Sequence, residues 1–279
     1  MIKYGWLRAL LAMPAWILAQ VVVSTVVFVL AHGNPATEDT VGRPLGIVTQ
    51  FLQLIGTLAV VVLFRKLIDR RSFVSLGFAL DKKHLRDLAA GIIWGIALIS
   101  AVFIVVLLAD GVRITDLSHP LSALANMTLM MIAVAFNEEV LVRGYLLNNV
   151  MASVNKFVAL FLTSLVFALG HLLNPNATIA GLVNIILAGL VLGIYYIHRQ
   201  NLWFPIGLHF AWNLFQGSIY GSAISGVNTP SIIQTEIVGS DLLTGGTFGF
   251  EASLVTTMVL SLAVLALHRI YRRRRPEVR

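Results

Sequence analysis

The run Leu88–Ala109 reads LAAGIIWGIALISAVFIVVLLA, without one charged residue. About 20 residues of helix cross the roughly 30 Å of a bilayer's hydrocarbon. Seven further stretches have the same character: Ala9–Ala31, Leu45–Phe64, Leu121–Leu147, Phe157–Leu173, Thr178–Ile197, Trp203–Tyr220 and Ala252–Tyr271. Lipid satisfies no backbone hydrogen bond, so a spanning segment is a helix or a strand of a closed barrel, and these runs are too long for barrel strands. The sequence therefore predicts an all-α polytopic membrane protein of about eight transmembrane helices, read as one membrane domain over residues 1–279.

Composition agrees. Of the 279 residues, 58% are hydrophobic and 12% charged, with a mean hydropathy of +0.86. Soluble domains carry about twice that share of charge. With no cysteine, disulfides, thiolate nucleophiles and cysteine-based zinc sites are excluded. The net charge of +7 does not indicate nucleic acid, because the basic residues lie between apolar runs. Lys3 and Arg8 precede a run too long for a signal peptide's apolar region, so it is expected to be a retained span.

Charge placement orients the chain. With the N-terminus inside, Lys3, Arg8, Arg65, Lys66, Arg70, Arg71, Lys82, Lys83, Arg86, Lys156, Arg199 and the tail Arg269, Arg272, Arg273, Arg274, Arg275 and Arg279 fall inside. Arg43 and Arg113 fall outside, with Glu38, Asp39, Asp110, Asp116, Glu236, Asp241 and Glu251. Both termini are thus expected in the cytoplasm. The basic stretch Arg65–Asp87, with its interspersed Phe73, Leu76, Phe78 and Leu80, is read as an ordinary basic loop, or one lying on the anionic leaflet. The Gly/Ser/Thr-rich Gly221–Phe250 is expected to be a flexible loop.

Three apolar segments carry polar pairs at helical spacing. A charge at the bilayer centre costs about 2.5–3.5 kcal/mol on insertion scales, yet the fourth segment contains Asn137-Glu138-Glu139 followed by Arg143. Glu139 and Arg143 are four apart and can pair on one face. Glu138 points roughly 100° away, with no partner nearby in sequence. The fifth segment ends Phe167-Ala-Leu-Gly170-His171, where Gly170 would admit a close neighbour, and the seventh contains His209-x-x-x-Asn213. Buried polar groups in lipid need one another, so the three pairs are expected to converge. Singly, each pair reads as well as structural glue, as do Asn137 and Asn184; Gly181, Gly189 and Gly193 read as close-packing positions.

A desolvated carboxylate beside an imidazole suits a general base acting on water, and a His–Asn pair suits an oxyanion. The same atoms permit a divalent metal such as zinc, with His171, His209 and Glu138 as ligands. The spacing leaves metal-bound and metal-free chemistry both open, since no H-E-x-x-H is present. No serine lies in a G-x-S-x-G context, and Asp110 and Asp116 fall in an outer loop.

Glu138-Glu139-x-x-x-Arg143, Phe167-x-x-x-His171 and His209-x-x-x-Asn213 resemble the motifs of the CPBP family of intramembrane proteases. That family takes in type II CAAX prenyl endopeptidases and bacteriocin-immunity-type proteins. The stretch with Gly189, Gly193, Tyr196, Asn201-Leu202-Trp203, Pro205-Ile206, His209 and Asn213 is similar to the family's closing segment, and the resemblance covers a core of 121–216. It implies an eight-helix fold with a conical cavity open to the cytoplasm and lipid. It also implies that Glu138 and His171 activate water, that His209 and Asn213 stabilise the oxyanion, and that Glu139 and Arg143 hold the site. The expected function is hydrolysis of a peptide bond in a membrane-associated or lipidated, CAAX-type substrate in a bacterial plasma membrane. The alternatives are a non-proteolytic bacteriocin-immunity or scaffold protein, and a small transporter with Glu138 as its proton site. The expected partners are membrane lipids and a peptide or protein substrate, with no nucleic acid.

Overall fold

The computed structural model describes residues 2–31, 44–119 and 121–272. The expected placements of Glu38, Asp39, Arg43, Arg273, Arg274, Arg275 and Arg279 lie outside the described residues.

All eight apolar runs are helical: α1 (Gly5–Ala31), α2 (Pro44–Leu63), α3 (Lys82–Leu108), α4 (Leu121–Glu139), α5 (Lys156–Gly170), α6 (Ile179–Arg199), α7 (Trp203–Asn213) and α8 (Leu254–Arg272). The protein is an all-α polytopic membrane fold. Six of these helices, α4 with its extension among them, are long and apolar enough to cross a membrane. The other two are short. At 1.5 Å per residue α5 rises roughly 22 Å, and α7 less.

Polar residues mark the ends. Asp81 caps α3 through the amides of Lys83 and His84, Asn155 caps α5 through Phe157, and Thr178 caps α6 through Gly181; each satisfies donors that a helix start leaves free. Three helices change pitch to π: α2 over Phe64–Ile68, α4 over Val140–Leu147 and α7 over Leu214–Ile219. The last two changes begin directly after Glu139 and Asn213. π-turns inside α-helices concentrate at functional sites, because the extra residue per turn re-aims side chains.

Packing depends on absent side chains. A Cβ on Gly91 would stand 2.1 Å from the Phe204 carbonyl oxygen, and one on Gly95 2.4 Å from that of Leu208. On the facing helix a Cβ on Gly207 would meet the Leu88 carbonyl at 2.5 Å, so α3 and α7 touch backbone to backbone. Gly189 and Gly193, read as close-packing positions, are so: Ser164 and Leu160 of α5 occupy the space beside them. Gly170 differs from expectation, with nothing within 4 Å of a Cβ there.

The asparagines behave as glue. Asn137 and Thr57 are hydrogen-bonded, and Trp16 and Gln20 also donate to Thr57, joining α1, α2 and α4. Asn184 holds the carbonyls of Glu251 and Ser253 at 2.7 and 2.8 Å.

Two loops depart from expectation. Arg65–Asp87 is in part packed against the protein, while Val74 and Leu80 stay exposed. Leu76 is fully buried, Phe78 stacks on Phe73 and Phe136, and Arg65 is buried in an ion pair with Asp69 at 2.9 Å. Gly221–Phe250 is structured as well. It supplies strand β2 (Ile233–Ile237), paired antiparallel to β1 (Val112–Leu117), a helical turn Asp241–Thr244 and a 3-10 turn Gly246–Phe248. Gly245, Gly246 and Gly249 all have positive φ, which their lack of a Cβ permits and which lets the chain double back tightly.

Candidate active site

The three polar pairs converge on one cavity of about 250 Å³. Glu138, His171, His209 and Asn213 all line it; Glu139 and Arg143 lie behind its wall. His171 and His209, from different helices, both reach this cavity. His171 follows the last residue of α5, and His209 stands on the second turn of α7.

Glu139 and Arg143 pair as the spacing predicts, at 2.7 Å, both almost wholly buried. The same Glu139 Oε1 also accepts from Nδ1 of His209 at 2.9 Å. One carboxylate oxygen therefore ties α4 to itself and to α7. The Arg143 guanidinium lies 4.3 Å from the centre of the Phe167 ring, a cation–π contact worth about 2 kcal/mol when desolvated. Phe167 in turn meets both imidazoles edge-on, at 4.8 Å for His171 and 6.2 Å for His209.

Nδ1 of His171 lies 2.8 Å from the Phe167 carbonyl oxygen. A carbonyl only accepts, so Nδ1 carries a proton, and in the neutral ring Nε2 keeps its lone pair. In His209, Nδ1 faces Glu139 and Nε2 lies 3.8 Å from Glu138 Oε2. That Glu138 oxygen is buried with no hydrogen-bond partner, as are Glu139 Oε2 and Arg143 Nη2. Buried polar atoms are nearly always paired, and those left over signal a strain reservoir or a chemical role.

The cavity's other walls come from the ends of α2, α4, α6 and α8 opposite the basic loops: Gln50, Met130, Asn184 and Thr256, roofed by Ser225, Thr229 and Glu251. The cavity thus lies towards the face the charge pattern assigns to the outside, whereas the family resemblance led us to expect one opening inwards. Sequence reasoning missed Glu251 and Ser225. Glu251 counts among the outer acids by position, and nothing in its spacing marks it; only the doubling-back of the glycine turns brings it to the cavity.

The donor types suit a divalent ion, a carboxylate with two imidazoles anchored through Nδ1. The spacing does not. Among the described residues, no three His, Asp or Glu side chains are gathered closely enough to hold one. As placed, these residues do not fit a bound ion.

Fold and site together define a multi-pass membrane protein with a glutamate–histidine centre enclosed among its helices. Residues 120–215 match the model of the family described as type II CAAX prenyl endopeptidase Rce1-like, so about a third of the chain is similar to that protease family. The match contains all six expected site residues and leaves α1 to α3 and α8 outside. No curated protein matches the sequence.

Proposed function

We propose that the protein is an intramembrane endopeptidase that hydrolyses a peptide bond of a membrane-associated or lipidated substrate with side-chain-activated water. The observation that carries this reading is the buried, unpartnered Glu138 Oε2, in a cavity it shares with His171, His209 and Asn213. A carboxylate oxygen with no hydrogen bond to satisfy it, facing only an imidazole at 3.8 Å, is suited to take a proton from water.

Glu138 takes a proton from a water whose other hydrogen is accepted by Nε2 of His171. The resulting hydroxide attacks the carbonyl carbon. The oxyanion that forms receives hydrogen bonds from Asn213 Nδ2 and from Nε2 of His209. With Nδ1 already bound to Glu139, that nitrogen donates only in the imidazolium form, which stands here between two carboxylates. Glu138 then returns its proton to the departing amine. Arg143 and Phe167 hold Glu139 and the imidazoles in place. The apolar walls accommodate a lipidated or membrane-borne segment, and the location is a bacterial plasma membrane. A divalent ion such as zinc on Glu138, His171 and His209 would supply Lewis acidity, but it would require those side chains to draw together.

The test is a comparison of protein termini in membranes of the native host, wild type against Glu138→Ala at equal protein level. Ends present only with the wild type establish proteolysis and name the substrate. Identical ends, with the variant folded, overturn the reading in favour of a scaffold or immunity role.

A further inference from the structure

The roof of the cavity carries a second carboxylate that this mechanism does not use. Glu251 precedes α8 and is fixed from two sides. The backbone amide and hydroxyl of Ser225 both donate to its Oε2, the hydroxyl at 2.7 Å, and Asn184 holds its carbonyl. Ser225 adopts a left-handed φ of 46° to make this clasp, a conformation that disfavours a residue with a Cβ. All the hydrogen bonds to the Glu251 carboxylate among the described residues end on Oε2, and the residue lines the cavity.

The charge of the lining decides what this carboxylate is for. Two glutamates, Glu138 and Glu251, face the cavity, and among the described residues no lysine or arginine lines it. His171 and His209 line the same cavity. Most of the remaining wall is aliphatic or aromatic. A largely apolar cavity with a fixed carboxylate in its lining matches a side chain with an aliphatic stem and a cationic head. Burial holds the Glu251 carboxyl above its ordinary range, with the Ser225 hydrogen bonds and the histidines opposing. An arriving cation offsets the hydration that burial has removed.

We infer that Glu251 is a substrate-recognition residue, receiving the ammonium or guanidinium of a lysine or arginine beside the bond to be cut. The proposal rests on the proteolytic reading for its substrate, and the same carboxylate makes the cavity unfavourable for a peptide's free terminal carboxylate.

The experiment uses the full chain in lipid nanodiscs and two quenched-fluorescence peptide pools, alike except for one fixed lysine or norleucine. The wild type is expected to prefer the lysine pool by about 10-fold, and Glu251→Gln to reduce the ratio to near unity. Glutamine keeps an oxygen for Ser225, so the clasp survives while the charge is lost. A wild type without preference, or a preference surviving in the variant, overturns the inference and leaves proteolysis standing. If neither pool is cut, proteolysis fails and binding of the labelled pools decides: the same ratio, lost in Glu251→Gln, supports the cation site, and equal binding overturns it. Should the variant not fold, n-pentylammonium and n-pentanol are compared on the wild type as competitors for the lysine pool. An ammonium about 10-fold more potent supports the inference, and equal potency overturns it.

Discussion

Nδ1 of His209 and Oε1 of Glu139 lie 2.9 Å apart although the residues are 70 positions apart in the chain. The second of the two adjacent glutamates is thereby committed to holding a histidine and an arginine, and the first is left free. Their neighbourhood in sequence hides a complete division of work.

That division separates two substitutions. Glu139→Gln leaves the buried Arg143 without its counter-charge, and breaking such a pair costs about 3–5 kcal/mol. The expected result is a clear fall in melting temperature in detergent, or no folded protein. A melt equal to the wild type would show the pair to be dispensable.

Glu138→Gln replaces a side chain whose buried oxygen has no hydrogen bond to lose, only the 3.8 Å contact with His209. Thermal stability is expected to stay near that of the wild type, while peptide hydrolysis falls by about 10²–10⁴-fold, as general-base removal does. Equal damage to folding and turnover would place Glu138 in the scaffold instead.

Arg143→Lys keeps the charge but loses the planar contact with Phe167. Arginine's stacking and fixed geometry are not reproduced by an ammonium. A destabilisation of about 1–2 kcal/mol is expected, smaller than that of Glu139→Gln, and chemical denaturation of the two variants side by side measures the order.

Gly91→Ala drives a Cβ to 2.1 Å from the Phe204 carbonyl. Because backbone cannot swing aside as a side chain can, α3 and α7 must part, and His209 moves with α7. Gel filtration is expected to show aggregation or a strongly lowered melting point. Gly170→Ala, in open space, is expected to behave as the wild type.

Two carboxyls outside the spans give opposite pH signatures. Burial raises Glu251 above its ordinary 4.5. Its contribution to stability is therefore present below that value and lost as pH rises through the folded-state value. Asp81, held low by its hydrogen bonds to His84, contributes above its ordinary 3.8 and loses that contribution as pH falls further. Melting temperatures of wild type, Glu251→Gln and Asp81→Asn against pH are expected to diverge in these two directions. Parallel curves would remove both assignments.

Most of the helical fold was legible in the sequence because the period and length of apolar runs are local properties. Leu88–Ala109 has no alternative to a helix in lipid, and the Glu139–Arg143 pair follows from helical spacing alone. The order of the three polar pairs likewise singled out six candidate residues before any of them had a position in space. Contacts between distant segments were not legible. The hydrogen bond between His209 and Glu139, the cavity that His171 and His209 share and the burial of Arg65 all depend on which helices touch. The Gly/Ser/Thr-rich stretch read as a flexible loop because its order comes from pairing with Val112–Leu117 and from glycine turns, neither of which leaves an apolar period. Glu251 shows the difference most clearly. By sequence it is one acid among several on the outer side; the fold closes Ser225 over it and turns it to the cavity, because only tertiary packing decides which buried charges share a space.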